Sequence, residues 1–179
     1  MGLARQAFAM LCPLWKSNRY SKRTKIKIFN SNIISVLLYG AEMWKLDLSD
    51  ITRLETFQRK CLRRILRIFW PTKITNQELY TQTKSYPIGE ILKNRRWRWV
   101  GHVLRKPPDD NCKVALTWAP EGKRRRGHPR TTWQRSVEAE MKDFGWKGWS
   151  QATEAAKDRA EWQKMLRGVM SQTRLEEDK

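Results

Sequence analysis

The sequence predicts a mainly α-helical protein, because apolar residues recur at three- and four-residue steps along most of its 179 residues. Residues that cap helices and prolines that end them separate these periodic segments. Residues 112–118 are the one segment that favours a strand. We therefore expect a helical bundle over residues 1–72, followed over residues 73–179 by a helical C-terminal domain with one short β-hairpin or extended basic loop.

The pattern of the first 44 residues predicts a short N-terminal helix and then a central helix over residues 22–44. Ser21 is a suitable N-cap, and apolar side chains lie around much of the circumference of the central helix. Gly40 would allow another helix to cross closely. This helix should therefore lie in the core of the first domain.

The next predicted helix begins after Ser49 or Asp50 and continues to about Phe69, before Pro71. At about 100° per residue its apolar side chains occupy one half of the helix and its cations the other. Those cations are Arg53, Arg59, Lys60, Arg63, Arg64 and Arg67. Exposed helices usually mix charges of both signs, so a face with no acidic member favours phosphate contact over plain solvation.

Two further helices are predicted before the break at residues 106–111. Thr75 and Glu78 have the spacing of a capping box, and Pro87 suits the first turn of the longer helix that follows. In this longer helix three cations, Arg95, Arg96 and Arg98, alternate with Trp97 and Trp99, a combination typical of phosphate contact with base stacking. The two indoles point nearly opposite ways on a helix. We expect Trp99 in the core and Trp97 between two helices.

A basic loop follows the predicted strand. It contains five cations within eight residues, which are Lys123, Arg124, Arg125, Arg126 and Arg130. Gly127 and Pro129 indicate a short loop rather than a long tail. Beyond it, helices are predicted from Thr132 to Asp143 and over residues 150–170, with a break near Asp158. The natural partner of such a loop is a polyanion.

The charge balance also indicates nucleic acid. Lys and Arg number 37 against 18 Asp and Glu, a formal net charge of +19. This excess lies within residues 1–130, because residues 131–179 hold as many acidic as basic side chains. Such a field attracts phosphates and makes binding strongly dependent on salt. We expect RNA or DNA as the partner, bound upstream of an electrically balanced C-terminal segment.

Several other classes of function are disfavoured. The apolar runs are too short to span a membrane, and nothing in the sequence predicts a small-molecule substrate. Three scattered cysteines favour a reducing, intracellular location, and the basic loop is compatible with a nuclear or nucleocytoplasmic one. His102, Cys112 and His128 lack zinc-site spacing, so we expect no metal and no cofactor, with His102 in the core.

One enzymatic alternative stays open. Pro108-Asp109 and Glu121-Gly122-Lys123 reproduce the letters of the PD-(D/E)xK nuclease pattern. Such a site needs two carboxylates around a divalent ion and a lysine near the attacked phosphate. Prolines and a single predicted strand favour a turn and a hairpin edge instead. No nucleophilic triad can be assembled from the sequence.

Several motifs, taken in order, resemble a known family. They are Lys25–Asn30, Val36–Trp44, Leu54–Arg63, Arg95–Arg105, the Arg-Arg-Gly-His-Pro-Arg-Thr-Thr-Trp run that ends at Trp133, and Asp158–Trp162. The first three resemble the segment after the palm of non-LTR retrotransposon reverse transcriptases of the RTE or BovB-like type. The others resemble the C-terminal block of the same endonuclease–reverse transcriptase polyproteins.

The resemblance implies a thumb over residues 1 to about 70 and an extension that grips template or target nucleic acid. The family's catalytic palm carries an aromatic-x-Asp-Asp motif, whereas Asp109-Asp110 has no aromatic residue two places before it. The implied function is therefore non-catalytic binding of a primer–template, with the palm and fingers as a further partner. The alternatives are a protein-docking module, a non-functional truncated element copy and the nuclease above.

Overall fold

A computed structural model describes residues 1–118, 127 and 132–176 of the chain. Every regular element in these ranges is a helix, which confirms the mainly α fold. The helices form two compact units, Met1–Ala41 with Leu46–Leu92, and Glu42–Lys45 with the described part of Lys93–Lys179. The domain boundary predicted at residue 72 thus falls inside the first unit. No described helix has the length and hydropathy that a membrane span requires.

The first unit begins with helices α1 (Gly2–Met10) and α2 (Cys12–Lys16). The rings of Phe8 and Trp15 stack with their centroids 5.2 Å apart, and Trp15 Nε1 donates a 2.9 Å hydrogen bond to the Phe8 carbonyl oxygen. Phe29 meets Phe8 edge to face. These aromatic contacts hold α1 and α2 against the core of the first unit.

The predicted central helix is shorter than expected. It comprises α3 (Lys22–Ile28), a π-helical segment (Phe29–Ile34) and α4 (Ser35–Leu37), with Ser21 as the predicted N-cap. Gly40 has a positive φ of 65°, and apart from its two chain neighbours no atom of the described residues lies within 4 Å of the position that its Cβ would occupy. The expectation that Gly40 allows a close helix crossing is therefore wrong, because the residue turns the chain instead. A 3-10 turn follows at Ala41–Met43.

Helices α5 (Leu48–Leu66) and α6 (Asn76–Thr83) complete most of the first unit. Asp47, two or three residues earlier than predicted, is the N-cap of α5, and its end is set by Arg67 in the left-handed conformation. The capping box predicted for α6 is present. Gln58 explains why α6 belongs to this unit: this buried amide donates to the Tyr86 carbonyl oxygen at 2.9 Å and accepts from the Tyr80 hydroxyl at 3.3 Å.

Helix α7 (Ile88–Leu104) begins in the first unit and continues in the second. The segment predicted as a strand is helix α8 (Asn111–Thr117), so that prediction is wrong. A local cap explains the difference, because Asp110 accepts a 2.9 Å hydrogen bond from the Cys112 N–H and starts a helix. The predicted basic loop lies outside the described residues except at Gly127.

The remaining elements of the second unit are helices. They are α9 (Trp133–Met141), a 3-10 turn (Lys142–Phe144), α10 (Trp149–Lys157) and α11 (Arg159–Glu176). Gly145 with φ 74° ends the 3-10 turn, and Asp158 separates the last two helices, which confirms the break predicted near Asp158. An aromatic cluster of Trp97, Trp146 and Trp162 lies in the core of this unit.

Candidate nucleic-acid interface

Helix α5 carries the six predicted cations, and they differ in how tightly the fold holds them. Arg53, Lys60 and Arg64 are exposed, and Arg59 and Arg63 are partly buried. Arg67 is exposed at the helix end. The six therefore do not form one uniform surface.

Arg59 is bound to an acid. Its guanidinium lies 3.0 Å from Glu55 Oε2, one helix turn away, and donates to the Thr56 hydroxyl at 3.1 Å. The expectation that this face has no acidic partner is wrong at this position. A phosphate that approaches Arg59 would have to compete with the Glu55 carboxylate.

Arg63 and Arg67 hold neighbouring segments of the first unit. Arg63 donates to Asn76 Oδ1 at 2.9 Å and to the Ile74 carbonyl oxygen at 3.3 Å. Arg67 donates to the carbonyl oxygen of Lys16. These contacts tie α5 to the start of α6 and to the end of α2, so both side chains have a structural role.

Arg53, Lys60 and Arg64 form a stripe along α5, because positions i, i+7 and i+11 lie within about 40° of one another on a helix. The stripe is about 16 Å long at 1.5 Å per residue. Among the described residues, no hydrogen bond or ion pair holds the side chain of Lys60 or of Arg64 in place. We call these three residues the cation stripe.

Two cations that the sequence analysis did not single out lie beside the cation stripe. Arg5 lines a cavity together with Lys60 and Arg64, and Lys16 lines an adjoining one with the same two residues. Helical periodicity contains no signal for this arrangement, because it depends on how α1 and α2 pack on α5. Cys61 also lines the first of these cavities, and burial raises the pKa of its thiol to about 12.

The three predicted cations of α7 lie in different environments. Arg98 is exposed, Arg95 is partly buried, and Arg96 is buried with 5% of its surface accessible. The Arg96 guanidinium forms an ion pair with Glu140. Arg96 is therefore not available to a phosphate, which corrects its prediction as a binding residue.

The two tryptophans of α7 also differ from expectation. Trp97 is fully buried and donates a 2.8 Å hydrogen bond to Glu140 Oε2, whereas Trp99 is partly buried and meets Trp133 edge to face. Trp97 rather than Trp99 thus lies deep in the core, and neither indole is an open stacking platform. Burial raises the pKa of Glu140, although Arg96 and the Trp97 hydrogen bond oppose the shift.

The other predictions for this site have mixed outcomes. Lys123, Arg124, Arg125, Arg126 and Arg130 lie outside the described residues, so the basic loop stays a prediction. His102 is exposed, and its expected core position is wrong. Among the described residues, no cluster of three His, Cys, Asp or Glu side chains could hold a metal ion.

Comparison with known proteins gives two similarities. Residues 7–39 match the domain family DUF6451, a domain of unknown function. The chain is also similar to the uncharacterized transposon-derived protein F52C9.6 of Caenorhabditis elegans, with 23% identity over 153 residues that cover 82% of this chain. The chain spans about half the length of this relative, 55% of it. No solved structure matches.

Proposed function

We propose that this chain is a non-catalytic, nucleic-acid-binding part of a transposon-derived protein. The observation that carries the proposal is the cation stripe, Arg53, Lys60 and Arg64, exposed along one side of α5. Cations fixed on a helix neutralise phosphates and release condensed counterions, which supplies affinity for any sequence. A net charge of +19 raises the local concentration of the same ligand.

The proposal can be stated more finely as a reverse-transcriptase thumb and its C-terminal extension. The support is the order of the motifs that resemble non-LTR retrotransposon reverse transcriptases, together with the similarity to a transposon-derived protein. On this proposal α5 holds the primer–template, while a palm in another segment or chain makes the new bonds. The palm and fingers would then be the protein partner.

The test is a salt titration of affinity with the cation stripe weakened. We expect Lys60→Gln/Arg64→Gln to lower the affinity of the full chain for every RNA and DNA sequence tested. Removing two phosphate-binding cations should reduce the slope of log K against log salt by roughly 1.4 to 1.8. Fluorescence anisotropy with labelled oligonucleotides at several salt concentrations measures both quantities.

The matched control removes the same charge from the second unit. Lys157 and Lys164 are exposed and paired with Glu154 and Glu161, at 2.6 Å and 3.3 Å. Lys157→Gln/Lys164→Gln should leave affinity and slope almost unchanged. If both double variants weaken binding equally, overall charge rather than the stripe is responsible. Loss of affinity for one sequence alone would indicate base recognition and contradict the proposal.

A second candidate function, protein docking, is favoured by exposed apolar side chains in the first unit. Tyr39, Leu48 and Trp70 have 83%, 83% and 87% of their surfaces accessible. Large exposed apolar groups are common at protein interfaces. Replacing all three with Ser should improve solubility and leave nucleic-acid affinity unchanged if they bind protein, but should reduce that affinity if they stack on bases.

A further inference from the structure

Two adjoining cavities, of about 300 Å³ and about 530 Å³, lie between α5 and the α1–α2 segment of the first unit. Cys12, Lys60 and Arg64 line both. We call the two together the α1–α5 groove. Its apolar lining consists of Phe8, Ala9, Phe57, Trp15, Ile68 and Phe69, and its other cations are Arg5, Lys16, Arg63 and Arg67. No acidic side chain is among the described residues that line it.

This lining combines aromatic rings with cations. A groove of this kind suits a ligand that is flat and apolar in one part and negatively charged in another. A nucleotide has both parts in its base and its phosphate. Aromatic side chains beside a basic groove are also the means by which proteins hold single-stranded nucleic acid.

We propose that the α1–α5 groove holds an unpaired nucleotide of RNA or DNA. Its base lies against the apolar lining near Phe57, and its flanking phosphates meet Lys60 and Arg64, which the cation stripe already provides. This inference rests on the proposed function and adds a preference to it. A blunt duplex keeps its bases stacked inside, so it can use the cations but cannot fill the groove.

The volume of the smaller cavity and the spacing of the two shared cations suit a single nucleotide. The smaller cavity, about 300 Å³, is at the lower end of the range for small-ligand pockets. Lys60 and Arg64 are one helix turn apart, about 6 Å, so two cations can meet phosphates on either side of one base.

The first test fills the groove without changing any charge. Ala9 is exposed on α1 and lines the smaller cavity. In Ala9→Phe the phenyl ring should fill the space in which the base would lie. The full chain is titrated with three labelled probes: a single strand, a blunt duplex, and the same duplex with an unpaired 3′ end. The original chain should bind the first and third about tenfold more tightly than the second.

Ala9→Phe should abolish this advantage and leave blunt-duplex affinity unchanged. The control is Met10→Phe at the adjacent position, which is 80% exposed and is not among the groove residues. It should behave as the original chain does. Equal affinity of the original chain for single strand and blunt duplex would overturn the inference, as would equal weakening of both by Ala9→Phe.

The second test needs no variant and so does not depend on the folding of Ala9→Phe. Cys12 is partly buried in the groove, whereas Cys112 is exposed on α8. A bound single strand should slow alkylation of Cys12 by a maleimide and leave Cys112 unaffected, and a blunt duplex should protect neither. Protection of Cys12 by an acidic aromatic peptide and not by oligonucleotides would assign the groove to a protein and overturn the proposal.

The two proposals can fail separately. Suppose that binding depends on salt and on Lys60 and Arg64, but shows no preference for unpaired ends and no protection of Cys12. This result would refute nucleotide binding in the α1–α5 groove and leave the proposed function standing. Absence of salt-dependent binding to every probe would refute both.

Discussion

The indole of Trp162 occupies the space in which a side chain at position 101 would lie, so only Gly101 allows α11 to pack against α7 there. Trp162 Nε1 also donates a 3.2 Å hydrogen bond to the Trp97 carbonyl oxygen. Two of the motifs that resemble the retrotransposon family, Arg95–Arg105 and Asp158–Trp162, therefore meet in one core. This contact gives both motifs a structural role in the second unit.

Gly101→Ala should destabilise the second unit, because the added methyl group would overlap the Trp162 indole. Overpacking of this kind typically costs about 1–3 kcal/mol. Urea unfolding followed by tryptophan fluorescence should show a lower midpoint with a similar slope.

Gly168→Ala is the matched control on α11. Apart from the backbone of its own helix, no described atom would lie within 4 Å of its Cβ, so the gain in helix propensity should stabilise the protein by about 0.5–1 kcal/mol. If Gly101→Ala were also neutral or stabilising, the close packing of Trp162 on α7 would be incorrect.

Arg96 and Arg98 should have opposite roles although they are two residues apart. Arg96→Met breaks a buried pair and leaves the Glu140 carboxylate without its cation, which should destabilise the fold by about 3 kcal/mol. Arg98→Met changes an exposed side chain and should alter stability by less than about 0.5 kcal/mol.

The effects of the two variants on nucleic-acid affinity should be in the reverse order to their effects on stability. Under conditions where both variants are folded, Arg98→Met should weaken nucleic-acid binding if α7 contributes to the interface, and Arg96→Met should not. Anisotropy titrations beside the unfolding curves measure both effects. A loss of affinity for the folded Arg96→Met protein would show that the buried guanidinium is accessible after all.

Lys25 should be a stabilising residue rather than a phosphate ligand. Its buried ammonium donates to the carbonyl oxygens of Trp15 at 2.8 Å and Ser17 at 2.6 Å, and burial together with the charge of Arg67 lowers its pKa. Lys25→Met leaves two carbonyl groups without this donor, so it should cost about 1–3 kcal/mol.

Lys27→Met provides the comparison for Lys25→Met, since Lys27 is exposed on the same helix and its replacement removes the same charge. Thermal unfolding should show a clear decrease in Tm for Lys25→Met and almost none for Lys27→Met. Equal effects of the two variants would mean that charge rather than the carbonyl contacts determines the result.

Features that depend on neighbouring residues could be predicted well. The capping box of Thr75 with Glu78, the Thr132 cap of α9 and the break at Asp158 each involve hydrogen bonds within a few residues. Residues 112–118 were predicted wrongly as a strand although the decisive contact is also local. The Asp110 cap outweighed a short apolar run that resembles a strand.

Features that depend on distant residues could not be predicted. Periodicity places Arg96 and Arg98 on nearly opposite sides of α7, but it does not show that Arg96 pairs with Glu140, forty-four positions away. Trp97 is buried for the same reason, because α9 and α11 supply its partners. The pairing of Arg59 with Glu55 is local and could have been found from their i, i+4 spacing.

The sequence by itself determined the helical class, several helix caps and the excess of positive charge, because propensity, capping and net charge are properties of short segments or of composition. Tertiary structure decided which cations remain exposed and where a groove opens beside them. The arrangement of Arg5, Lys16, Lys60 and Arg64 exists only after α1 and α2 pack on α5. These segments are far apart in the chain, and the local sequence of one segment does not determine how it packs against another.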